Sequence, residues 1–186
     1  IDGQHRLHAV IKFGSPIAFI VVREIPREAK NKIDTGNSRS ASDLISMDGG
    51  KYSKLTSSIV KRVFQYKEGF TRVENYPKMI LDYFKNDREE LEYVAQEAEK
   101  YYINGNRLIQ KSDIAFMYYL TRKIDKEDAK GFMDKVALGI NITDMNSPES
   151  RLRNFLIEDK ESDKSIGTRH RLKTWIKFWN KFRKGE

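Results

Sequence analysis

The sequence contains no cysteine, which excludes disulfides, thiolate nucleophiles and cysteine-ligated zinc together. Histidine is scarce as well: only His5, His8 and His170 are present, so no histidine-rich metal site is expected. No apolar run approaches the length needed to cross a bilayer, and Ile17 to Val22 is strand-sized. A signal-like start is missing too. These absences lead to the expectation of a cytoplasmic protein with no membrane partner. The first residue is Ile rather than Met, and the most informative motif begins at once, so a product processed or truncated from a longer parent is expected.

What is present supports a packed core. Hydrophobic residues make up 39% and aromatic residues 11% of the 186 positions, which excludes a disordered chain despite 33% charged residues. The length suits one large domain, or a small domain with a helical partner. The net charge of +8 is unevenly placed, because Thr168 to Glu186 holds seven lysines and arginines and one acid.

Two regions differ in pattern. Residues 1 to about 36 combine a glycine turn, a short helical pattern (Leu7, Val10, Ile11) and the β-rich run Ile17 to Val22. Gly14-Ser15-Pro16 separates helix from run, as breaker residues do. From about Ser40 onward helical spacing dominates. Leu55, Ile59, Val63 and Phe64 share a face, as do Met79, Ile80, Tyr83 and Phe84. Asp87 with Glu90 resembles a capping box, and Ser147-Pro148-Glu149 pairs an N-cap hydroxyl with a proline at the first helical position. Asp125 precedes Ala129, Phe132, Met133 and Val136, with Gly139 placed to close that helix. The charged stretch Glu158 to Gly167 reads as a loop, and a last helix is expected from about Arg169 to Arg183. The expected fold class is therefore α+β, a small α/β piece at 1–40 followed by a mainly helical domain at 41–186.

The opening residues carry the clearest chemistry. Gly3 permits a tight turn and close backbone approach to a ligand. The helix that follows offers free amides and its positive end to an anion, and Arg6 adds a planar fork of donors suited to phosphate oxygens. The competing explanation is that Arg6 pairs with a nearby acid and His5 merely packs. The chemistry alone leaves the two evenly matched.

Gly3-Gln4-His5-Arg6-Leu7-His8-Ala9 resembles the Gly-x-x-Arg-x-x-Ala box of the ParB/sulfiredoxin superfamily. The string Asp2-Gly3-Gln4-His5-Arg6 resembles the variant named for those letters, found in phage and mobile-element proteins and in relatives of DNA-modification systems. That resemblance implies a phosphate site lined by Gly3, Gln4, His5 and Arg6, and a nucleotide such as CTP or ATP with Mg²⁺ as cofactor. ParB proteins carry a further Glu-Asn-x-x-Arg segment. The nearest match here is Ile33 to Ser40, where Asn37 and Arg39 have the right types but stand one residue too close, and Asp34 replaces no glutamate in register. The competing explanation for this segment is a polar loop that caps the following helix through Ser40 or Ser42.

The last helix interleaves Arg169, Arg171, Lys173, Lys177, Lys181 and Arg183 with aromatics. Leu172, Trp175, Ile176 and Trp179 recur at core spacing, so buried tryptophans are expected, with the bases on an outer face that touches nucleic-acid phosphates. Of the tyrosine pairs Tyr101-Tyr102 and Tyr118-Tyr119, one ring each is expected in the core and one at the surface. The expected function is binding of a nucleotide or of DNA phosphates by a ParB-like, phage or mobile-element protein. One alternative is a nuclease or phosphotransferase, for which Asp2, His5 and Asp34 are the nearby candidates. Another is a module that occupies a host protein.

Overall fold

The computed structural model describes residues 4–18, 20, 23–24, 39–70, 77–162, 164 and 166–186, with the side chains of Gln4 and His5 outside that description. The chain divides into two units, Ile1–Ser40 and Ala41–Glu186. In the first, α1 spans Gln4–Phe13 and ends with Gly14 N donating to Val10 O, at a residue whose φ of 67° suits glycine.

The expected α/β piece is not formed: every regular element among the described residues is helical. Ile17, Ala18 and Ile20 belong to no strand, and Ile20 is 97% exposed, while Phe19, Val21 and Val22 lie outside the described residues. The physical reason is pairing. A strand satisfies its backbone only through a neighbour, and among the described residues no strand is present to pair with this run. The α+β expectation is corrected to an all-helical fold.

The second unit is built from α2 (Ala41–Met47), α3 (Ser53–Lys67), α4 (Pro77–Asn86), α5 (Arg88–Asn104), α6 (Lys111–Arg122), α7 (Lys126–Met133), α8 (Pro148–Glu161) and α9 (Thr168–Lys184). Its centre is α6, which packs against α3, α5, α7 and α9. Eight of its twelve residues are buried, including Ile114, Ala115, Phe116, Met117, Tyr118 and Tyr119. A helix apolar on all sides belongs inside. For that reason Tyr118 and Tyr119 are both buried, contrary to the expectation of one ring at the surface.

Turns and caps close the bundle. After α2, Gly50 N donates to Ile45 O, and a Cβ at Gly50 would lie 2.5 Å from Ile45 Cγ2 and 2.7 Å from Phe84 Cζ. α7 runs into a π-helical segment, Asp134–Leu138, that ends at Gly139 with φ 74°. The carbonyls of Val136 and Ala137 accept from Arg153 Nη1 at 2.8 and 3.0 Å, so α8 satisfies groups that the irregular turn leaves over. Ser147 caps α8 through Ser150 N, with Pro148 in the first turn. This helix runs to Glu161, four residues into the stretch expected as loop, because Asp159 faces inward.

Candidate nucleic-acid interface

α9 contains no acid, and its last turn carries Lys181, Arg183 and Lys184 at the negative end of the helix dipole. Its apolar face, Leu172, Trp175 and Trp179, is buried as expected. Phe132 meets Trp179 edge-on at 5.3 Å. Neither indole N–H has a hydrogen-bond partner among the described residues.

Arg171 departs from its expected place on the outer face. It is 5% exposed. Its Nε donates to Asp113 Oδ2 at 2.6 Å and its Nη1 to Asp159 Oδ2 at 2.8 Å. The other oxygen of Asp113 accepts from Arg62 Nη1, whose Nη2 donates to Ser112 Oγ at 3.0 Å. The second oxygen of Asp159 accepts from Ile166 N at 2.7 Å. Two guanidinium groups and two carboxylates thus balance one another inside the unit and tie α3, α6, α8 and α9 together. Burial opposes charge on Arg171, but hydrogen bonds to both aspartates prevail and hold its proton more tightly than usual. Arg171 is consequently not a phosphate ligand. Single-sequence reasoning missed Asp113, Asp159 and Arg62, whose only sequence signal is an acid placed among core residues of α6.

The remaining bases take separate positions. Lys173 and Lys177 are exposed and Lys181 is half-buried. Together with Lys184 they border a shallow groove along α9 that also includes Ile176, Asn180 and one acid, Glu186. Among the described residues Lys173, Lys177 and Lys181 have no carboxylate partner, while Lys184 lies 3.7 Å from Glu186. Lys184 was not among the expected residues, although it follows Lys173 by about three helical turns and shares its face. Arg183 approaches Asp128 at 4.0 Å, and Arg169 Nη2 donates to Gly69 O at 3.2 Å.

No stacking ring stands free on this face. Phe182 packs against Phe132 and Trp179 with Lys135 above it, and Arg151 lies over Phe178.

In the first unit, α1 starts at Gln4, so Arg6 sits in its first turn and is exposed. Gly3 and Asp2 lie outside the described residues, as do Asp34 and Asn37. His5 contributes backbone to the first turn, its side chain being outside the description. Arg39 is half-buried just ahead of α2. Among the described residues no group of three or more histidine or carboxylate side chains is arranged to hold a metal ion. No described helix is long and apolar enough to cross a membrane.

A second polar cluster joins α5 to α6. Tyr119 Oη donates to Asp87 Oδ2 at 2.5 Å and lies 3.0 Å from Tyr83 Oη. Burial first, and the hydrogen bond to Asp87 second, push the Tyr119 phenol well above its ordinary range. Arg122 donates to Glu90 at 2.6 Å and lies 4.3 Å from the Tyr93 ring centre. These contacts are structural: each group has its partner within the bundle.

No protein-family model matches the chain, and neither a curated protein nor a solved structure matches it.

Proposed function

We propose that the protein binds the phosphate backbone of DNA along the outer face of α9. The observation that carries this is the row Lys173, Lys177, Lys181 and Lys184 on a helix without an acid, around a shallow groove that contains Asn180 and a single carboxylate, Glu186. Ammonium groups concentrated on one face attract a polyanion and release its counterions, which is the main source of non-specific nucleic-acid affinity. Arg171 contributes by position only, holding the helix against the core.

The test is DNA binding by fluorescence anisotropy, comparing the wild type with Lys177→Glu combined with Lys181→Glu. Charge reversal at two points of the row is expected to abolish binding at moderate salt while the helical circular-dichroism signal stays intact. Unchanged affinity would remove α9 from the interface.

A nucleotide phosphate at the opening box, CTP or ATP with Mg²⁺, is the alternative ligand. It is favoured by the start of α1 at Gln4, which puts Arg6 beside the free amides of the first turn. Arg6→Ala would then remove a nucleotide-induced melting shift and leave DNA affinity unchanged. A shift that persists in the variant would exclude Arg6 as the phosphate ligand.

A further inference from the structure

Resting on the phosphate-backbone role of α9, we infer that the partner is double-stranded rather than single-stranded DNA, held without regard to sequence. The lysines at 173, 177, 181 and 184 rise along one helix, and the row spans about 16 Å from first to last. Over that length a duplex offers on the order of ten phosphates, because both strands contribute one charge per ~1.7 Å of axis. A row of point charges on one helix face fits a rigid rod of high charge density.

Single strands are held differently. Their binding combines a basic groove with aromatic platforms on which unpaired bases stack, and the platforms separate the two cases. α9 provides none: Trp175 and Trp179 are buried, and Phe178 and Phe182 are partly buried in the core packing. Lysine presents a compact point charge in place of a planar fork, and Asn180 is the only amide side chain in the row. The lysines therefore position the backbone and carry no sequence information of their own.

The experiment is a salt titration of the full chain against two labelled duplexes of unrelated sequence and against one of the constituent single strands. Four lysine contacts predict a slope of log affinity on log salt of about −3.6 for the duplexes. The quadruple variant Lys173→Gln, Lys177→Gln, Lys181→Gln, Lys184→Gln is expected to flatten that slope toward zero. Both duplexes should bind alike, and the single strand about tenfold or more weaker. A single strand that binds as tightly as the duplex would overturn the duplex preference and leave the backbone role of α9 standing. A clear preference for one duplex sequence would overturn the sequence-independent part. Loss of binding to every nucleic acid, or binding that the quadruple variant leaves unchanged, would overturn the role of α9 itself. Lys173, Lys177 and Lys184 are exposed and Lys181 is half-buried, so a retained melting temperature in the variant separates lost binding from lost fold.

Discussion

Asp113 and Arg171, 58 residues apart in sequence, meet through a 2.6 Å hydrogen bond at the centre of the helical unit. Asp113 serves two arginines at once, and Arg171 serves two aspartates, so neither charge is left alone. Buried ions cost desolvation that their mutual attraction roughly offsets, but removing one partner strands the other.

Asp113→Ala is therefore expected to cost about 3–5 kcal/mol, since it leaves Arg62 and Arg171 without their shared acceptor. Urea denaturation followed by circular dichroism measures this as a fall in midpoint. A cost below about 1 kcal/mol would mean that water screens the cluster as it does a surface pair.

The alkaline side of the stability profile belongs to the buried tyrosines. Burial is the largest cause that pushes Tyr118 from 10.0 up to about 12, and it raises Tyr101 and Tyr119 further still. The neutral phenol is the form that the fold favours. Its contribution is fully present below pH 10 and is lost as pH climbs toward about 12 for Tyr118. Melting temperature should accordingly hold steady up to pH 10 and fall beyond it, with these rings forming tyrosinate only as the protein unfolds. Early tyrosinate formation in the folded protein by all the tyrosines would contradict their burial.

Gly50 stands where a side chain has no room. In Gly50→Ala the new Cβ would press on Ile45 Cγ2 and Phe84 Cζ, both in the core. Overpacking of this kind costs about 1–3 kcal/mol. Thermal melting reads the loss, and a neutral outcome would show that α2 shifts freely against α4.

Two sequence signals of a helix start have different fates. Ser147 caps α8, so Ser147→Ala should cost about 1 kcal/mol. Asp87 makes no cap bond to α5 and instead accepts from Tyr119 and pairs with Lys123. A double-mutant cycle of Asp87→Ala with Tyr119→Phe should show a coupling of roughly 0.5–3 kcal/mol. Additivity would mean that the contact contributes nothing.

Much of the helical unit was legible because its information is local. Ser147-Pro148 marks the start of α8, Gly139 the end of the π segment, and the spacing of Leu172, Trp175 and Trp179 the buried face of α9. Local information also misled. Ile17 to Val22 has the composition of a strand, but a strand needs a partner that composition does not supply. The direction of Arg171 was equally invisible, because its partners Asp113 and Asp159 come from α6 and α8. Of the candidate site, Lys173, Lys177 and Lys181 could be read from charge alone and Lys184 was missed, while the opening box could be read only as far as Arg6 in the first turn of α1.

The inward turn of Arg171 also acts as a key on a shaft. A slip of α9 by one residue would swing that guanidinium about 100° away from its two acids and bring a neighbour into a socket cut for a forked cation. The helix thus has one admissible azimuth, set from within. Lys173 and Lys177 are turned outward before any partner arrives, so association has only flexible lysine tips to order and no helix to re-aim.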